Sequence, residues 1–501
     1  MATSDPSADA TLDPRLLRIA GVVILGTFMS ILDTTIVNVA IKDLSRSFNA
    51  PLATMQWIST GYMLALATVI PLTGWAADRF GTKRLYMASI GMFLAGSALS
   101  GAAWSAGSLV VFRVLQGLGG GMIMPAGMTI LTHAAGSLRM GRVMGIVGVP
   151  MLLAPIVGPI LGGWLVDDVS WRWIFFVNLP VGAMALFAAL RVFDRDQPRP
   201  HHVLDWRGLL MLSPGLAIFV YGLAETAAGS GLDSPGGGGA VLLGLLLVIA
   251  FVRHAHRRQG ALIDVKMFTR RAVGAPALTV FLFCTAFFGV ALLMPLYFQV
   301  VRGESALHAG LLLAVQGMGA MISMPIAARL TDKLGARPIV MTGLSLVALG
   351  MLSLSQLSAT TTLLQVELTL FLMGLGMGST MMPAMSAALS SIERHAVARV
   401  TAGLNVLQRV GGSIGTALLA VVLSHHLAAL LPAGGRAAHW HGGQSVMAAG
   451  VAGQAVPALG AAFGHTFRWS FVLVVCALAA TVFIRRQPHP GASGGAPVIV
   501  E

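Results

Sequence analysis

Long apolar runs separated by short polar breaks fill the chain from near residue 16 to near residue 484. A helix needs about 20 apolar residues to cross a bilayer, and most of the runs reach that length. They predict fourteen spans near 16–40, 52–76, 85–105, 108–131, 142–166, 172–193, 207–226, 239–253, 272–299, 306–329, 338–357, 362–389, 402–428 and 462–484. Gly and Pro recur inside them, which membrane helices tolerate because neighbouring helices satisfy the freed backbone groups. The pattern predicts an all-α polytopic membrane protein.

Composition agrees with the pattern. The 501 residues are 56% hydrophobic and 10% charged, whereas a soluble domain is about 25% charged. A net charge of +13 raises nucleic acid as a partner, but the basic residues fall in alternate short loops. Arg79, Lys83, Arg84, Arg139, Arg142, Arg253, Arg257, Arg258, Arg329, Lys333 and Arg337 lie on one side, with most of the others. Lys42, Arg46, Arg172, Arg302, Arg436 and Arg468 lie on the opposite side, and Arg113 and Arg409 lie within spans. Such a bias marks the cytoplasmic face and predicts cytoplasmic termini. The first apolar run is too long for the core of a cleavable signal peptide. Cys284 and Cys476 both fall in apolar runs and read as small buried hydrophobes, not as a disulfide or metal site.

Asp33 is the only ionisable side chain between Arg18 and Lys42. A carboxylate at membrane depth costs about 2.5 kcal/mol or more, so it faces a protein interior or a wet cavity and has a task there. One reading is a neutral, hydrogen-bonded carboxyl group. The other is a group that binds and releases a proton during transport. Arg113, also within a span, needs a partner, and Asp33 is the first candidate. In general a nearby arginine favours a carboxylate and burial favours the acid, so a moving helix pair can switch an acid between proton capture and release. A fixed structural ion pair is the alternative.

The chain repeats itself. Gly74-Trp-Ala-Ala-Asp78-Arg79-Phe-Gly81-Thr-Lys83-Arg84 follows the second span, and Ala328-Arg-Leu-Thr-Asp332-Lys333-Leu-Gly335-Ala-Arg337 follows the tenth. The offset that relates Asp78 to Asp332 also relates Arg113 to Glu367 and Gly158 to Gly412. Trp171-Arg172-Trp173 is echoed by Phe467-Arg468-Trp469. Two copies of a six-helix unit with two helices inserted between them give this layout: a tail at 1–15, a bundle at 16–193, a cytoplasmic linker at 194–206, inserted helices at 207–260, a second bundle at 261–484 with an outer loop at 429–461, and a tail at 485–501. Parallel six-helix halves are a transporter architecture.

Taken in order, these motifs closely resemble the major facilitator superfamily, in particular its fourteen-helix drug:proton antiporter branch. Gly74, Asp78, Arg79, Gly81, Lys83 and Arg84, with Asp332, Lys333, Gly335 and Arg337 in the second copy, match the superfamily's signature loop, which the resemblance makes a conformational latch. Physically, Asp78 can pair with an arginine or with a helix N-terminus, whose partial positive charge favours a carboxylate. The run from Leu109 through Arg113 and Gln116 to Gly121 resembles the fourth-helix motif of proton-coupled members. Gly145, Pro155, Gly158, Pro159, Gly162 and Gly163 resemble the antiporter motif, with Ala154 where the family usually has Gly. Leu32 to Ala40 resembles the first-helix motif, with Asp33 and Asn38 in place, although Ile41-Lys42 replaces the usual Leu-Pro. The stretch Trp171 to Asn178-Leu-Pro180 looks typical of the branch.

The resemblance implies a drug:proton antiporter that moves hydrophobic or amphipathic compounds outward across a bacterial inner membrane by alternating access. Asp33 and Arg113 would couple protons, and Asn38, Gln116, Glu367 and Asn405 are substrate-binding candidates. No cofactor is expected beyond the proton gradient, since no phosphate-binding Gly-Lys-Ser/Thr loop is present; enzymatic chemistry, a metal site and a nucleic-acid partner are not expected. The bilayer, protons, small substrates and a periplasmic membrane-fusion adaptor docking on the outer loop from Leu431 to Gly460 are the expected partners. His425, His426, His439, His441 and His465 cluster about that loop, and a solvated loop fits their irregular spacing better than a metal site. The alternative is a carrier for one metabolite, siderophore or fatty acid.

Overall fold

A computed structural model describes residues 13–50, 52–196, 204–226, 234–258, 261–304, 306–358, 361–390, 392, 396–430 and 456–484. The tail at 485–501 and most of the outer loop lie outside these residues, as do most of the N-terminal tail and 197–203 of the linker. The described residues are almost wholly helical: α1 (Pro14–Ser47), α2 (Leu52–Val69), α3 (Leu72–Phe80), α4 (Thr82–Gly101), α5 (Ala106–Asp168), α6 (Trp173–Phe176), α7 (Asn178–Val192), α8 (Trp206–Glu225), α9 (Ala240–Arg257), α10 (Val265–Thr269), α11 (Arg271–Leu296), α12 (Ala306–Leu334), α13 (Ala336–Leu354), α14 (Leu363–Gly378), α15 (Met381–Ser390), α16 (Val397–Leu430) and α17 (Val456–Thr481). Short π-helical turns, Pro235–Gly239 and Tyr297–Val301, adjoin α9 and α11.

Contacts divide the chain into two compact units. One takes 1–225, 231–265 and 392–409; the other takes 226–230, 266–391 and 410–501. In the first unit, Ile36, Val37, Leu44, Met55, Ile58, Leu109, Ile174 and Phe175 form a buried core. In the second, a larger core gathers Phe283, Tyr297, Phe298, Met373, Phe463 and Phe467. Met373 and Met385 are buried in that unit, so these members of the Met-rich run are packing residues.

Local chemistry sets the helix ends. Asp13 accepts from the Arg15 amide at 2.9 Å and caps α1, with Pro14 in the first turn. Ser105 and Ser108 form a reciprocal capping box on α5, satisfying two amide donors the first turn leaves open. Gly81 ends α3 at φ 93° and Gly335 precedes α13 at φ 82°. Both are left-handed positions that favour glycine, and they are equivalent in the repeat, so the two loops share a conformation as well as a sequence.

Helix α5 differs from the expected pair of spans at 108–131 and 142–166, because helical backbone continues through the polar segment between them. That segment, Thr132-His-Ala-Ala-Gly-Ser-Leu-Arg-Met-Gly-Arg142, contains no proline and several good helix formers. A straight helix of 63 residues would extend about 95 Å. Yet Arg113 meets Asp33, Gly127 lies against Val23, and further along Gly158 and Gly162 lie against Thr35 and Ile36. Helix α5 therefore runs down α1 and turns back beside it between Gly127 and Gly158.

Among the described residues, eleven helices are long and apolar enough to cross a membrane, or twelve if the bent α2–α3 pair is one span. Cys284 is buried, but Cys476 is exposed on α17. That corrects the reading of both as buried: an apolar run does not distinguish a position facing protein from one facing lipid.

Candidate functional site

Five helices of the first unit bring polar side chains to one buried point. Asp33 comes from α1, Tyr62 from α2, Ser97 from α4, Arg113 and Gln116 from successive turns of α5, and Asn178 from the start of α7. The Asp33 and Arg113 side chains are 0% and 1% exposed. Arg113 Nη1 donates to Asp33 Oδ2 at 2.6 Å and to Gln116 Oε1 at 2.8 Å. Gln116 Nε2 and Asn178 Nδ2 each donate to Asp33 Oδ1 at 2.9 Å. Asn178 Nδ2 also reaches Ser97 Oγ at 3.0 Å, and Ser97 Oγ donates to the Phe175 carbonyl at 2.8 Å. The guanidinium lies over the Tyr62 ring, 4.0 Å from its centroid, and 5.7 Å from that of Phe175. Aromatic faces attract a desolvated cation.

Two buried charges are tolerated because each is paired and hydrogen-bonded; removing one partner leaves an uncompensated charge. Among the described residues Asn178 Oδ1 has no hydrogen-bond partner. An ionised carboxyl group only accepts hydrogen bonds, whereas a protonated one also donates. The amide of Asn178 offers a donor to the first form and, after rotation, an acceptor to the second. Asp33 itself has no exposed surface, so the cluster is closed to solvent in this conformation.

Glycines let the helices close on this point. A side chain at Gly158 would strike Thr35 Oγ1, and one at Gly162 would come within 2.8 Å of Ile36 Cγ1. These two positions therefore pack within one turn of Asp33. Gly163 faces open space. Gly145, Pro155 and Pro159 lie on α5 and Asn38 on α1, but their side chains fall outside the described residues. Gly119 and Gly121 admit the backbones of α4 and α2 to either side of α5.

Of the two partners expected for Asp78, the structure supplies an arginine. Asp78 Oδ2 accepts from Arg399 Nη2 at 3.0 Å, and Gly74 packs on the Arg399 backbone. The N-terminus of α4 is instead capped by Asp196, whose two oxygens accept from the Lys83 and Arg84 amides at 2.8 and 2.9 Å. Lys83 Nζ donates to the carbonyls of Leu190 and Phe193, while Arg79 is exposed. In the second copy, Asp332 and Lys333 end α12 and Arg337 begins α13.

The remaining substrate candidates do not join the Asp33 cluster. Asn405 is buried on α16 and donates to the Thr401 carbonyl at 2.8 Å. Glu367 is half-buried on α14 in the second unit. His426 and His465 face each other with ring centroids 5.6 Å apart; His439 and His441 lie outside the described residues. Among the described residues no group of His, Cys, Asp and Glu has metal-binding geometry. Sequence reasoning missed Asn178, Ser97 and Tyr62 as members of the cluster. The one available signal was an isolated amide in the apolar run from Ile174 to Pro180.

Known proteins resemble this chain along most of its length. A profile of the Major Facilitator Superfamily matches residues 23–416. The multidrug resistance protein B homolog of Mycobacterium tuberculosis is 45% identical over 417 residues, 83% of this chain and 77% of that protein. Multidrug export protein EmrB of Haemophilus influenzae is 30% identical over 396 residues, covering 79% and 78%. The crystal structure of the human organic anion transporter MFSD10 (TETRAN) shares the fold, with a TM-score of 0.61 at 16% identity over 92% of this chain and 100% of that one. The profile, the relatives and the shared helical fold converge: the chain belongs to the major facilitator superfamily and is a multi-pass membrane protein, a secondary transporter and not an enzyme.

Proposed function

We propose that the protein exports hydrophobic or amphipathic compounds in exchange for protons, as a drug:proton antiporter of a bacterial inner membrane. The observation that carries this reading is the sealed Asp33–Arg113–Gln116–Asn178 cluster, a titratable group held in a protein interior by adjustable partners. Protonation of Asp33 releases Arg113 from its counter-ion and changes what α1 and α5 gain by staying together. A proton moving inward through a potential of 100 mV supplies about 2.3 kcal/mol. A relative named a multidrug export protein and another named a multidrug resistance protein support the direction and the breadth of substrates.

Fourteen crossings fit this reading: α4 and the returning half of α5 add two to the twelve apolar spans. Arginine placement supports cytoplasmic termini. The layout inferred from the repeat, with two six-helix bundles and inserted helices α8 and α9, belongs to the same proposal.

The test is a proteoliposome assay that scores collapse of an imposed pH gradient across unrelated cationic and neutral compounds. Collapse with several unrelated compounds is expected. Response to a single chemical type favours a carrier for one metabolite, and response to none refutes the antiporter reading.

A further inference from the structure

The inserted helix pair carries a charged site that the transport cluster does not use. Asp205 is buried at the head of α8, where its Oδ1 accepts from the Gly208 amide at 3.1 Å. His254 Nε2 lies 3.0 Å from the same oxygen, and Arg258 Nε lies 3.8 Å from it. One carboxylate thus fixes the end of α9. Around it Ala250, Arg253, His254, Arg257 and Arg258 line an open recess of about 480 Å³. Arg253 and Arg257 are exposed and make no ion pair among the described residues. Asp205 is engaged by His254 and Arg258, so the recess keeps a net positive charge.

The same helix supplies an apolar track to this recess. Leu242, Leu246 and Ile249 are 58%, 54% and 52% exposed, and they stand in line with Arg253 and Arg257 at spacings of three and four residues, which share a helix face. The opposite face, with Gly244, Phe251 and Ala255, is buried. Trp206, 64% exposed beside Asp205, is the kind of residue that marks the membrane–water interface. A ligand matching this surface has an anionic head at the interface and hydrocarbon running along α9.

We propose that this recess binds the phosphate headgroup of an anionic phospholipid, with its acyl chains along Leu242, Leu246 and Ile249. Basic pockets on the cytoplasmic side of membrane helices recognise such headgroups. Arg253 and Arg257 contact the phosphate, while Asp205 acts indirectly by holding His254 and Arg258 in place.

Native mass spectrometry of the full-length protein in detergent tests this, with phosphatidylglycerol, diphosphatidylglycerol, phosphatidylethanolamine or inorganic phosphate added. The parent is expected to retain the two anionic lipids over phosphatidylethanolamine and free phosphate. Each arginine near an anionic lipid surface contributes about fivefold, so Arg253→Gln with Arg257→Gln weakens anionic-lipid binding about 25-fold. Arg253→Lys with Arg257→Lys keeps the charge and is expected to retain most of the binding, which separates recognition from a failure to fold. Equal retention of phosphatidylethanolamine, unchanged adducts in the glutamine variant, or a dimer that occupies the α9 face instead overturns the proposal.

Discussion

Replacing Arg113 by glutamine removes the cation from the buried cluster and leaves its counter-ion behind. Asp33 Oδ2 then loses the donor at 2.6 Å, while Oδ1 keeps Gln116 and Asn178. Breaking a buried pair by removing one partner costs about 3–5 kcal/mol, because an uncompensated charge remains. Asp33→Asn is expected to cost less, about 1–3 kcal/mol, since Arg113 keeps Gln116 Oε1 at 2.8 Å and the Tyr62 face at 4.0 Å, a contact worth about 2 kcal/mol when desolvated. The double variant Asp33→Asn with Arg113→Gln removes both charges and is expected to recover most of the loss, giving a coupling of about 2 kcal/mol or more. Unfolding of purified protein in mixed micelles, followed by tryptophan fluorescence, measures all four corners of the cycle. Single variants within about 0.5 kcal/mol of the parent, or a double variant equal to the sum of the singles, refute the electrostatic reasoning.

Three further outcomes follow from the same geometry. Gly158→Val drives a side chain into Thr35 and wedges α5 from α1; transport is expected to fall at least tenfold while membrane insertion, scored by fractionation, persists. Gly81→Ala forces a side chain into a backbone at φ 93° and against Asp196, so the melting temperature drops by an amount equivalent to about 1–2 kcal/mol, and an unchanged melt contradicts the assignment. Asn178→Ala removes the amide that donates to Asp33 Oδ1 at 2.9 Å; transport is expected to fall severalfold while membrane insertion persists, and an unchanged rate contradicts the assignment.

Charge made the buried cluster of the first unit readable from its sequence. Asp33 and Arg113 stand out because an ionisable group inside an apolar run is costly and needs a partner, and the structure brings these two together. Gln116 was visible in the same motif as Arg113. Asn178 and Ser97 carry no charge and cost little in an apolar run, so their convergence on Asp33 emerged only from the packing. The likeness of the two signature loops extends to backbone conformation, since Gly81 and Gly335 share a left-handed geometry. Asp196 was opaque: within a charged linker nothing sets apart the acid that caps α4 from its neighbours. A break between two spans was expected at 132–141, but that the backbone stays helical through it was hidden, as was the exposure of Cys476, because hydropathy does not tell lipid from protein.

Proton release on substrate addition, read with a pH-sensitive dye in weakly buffered detergent solution, tests the role of Asp33 most directly. The account predicts a release that saturates with substrate in the parent and vanishes in Asp33→Asn, with substrate still bound by the variant. Undiminished release from Asp33→Asn would place the transported proton on another group and contradict it.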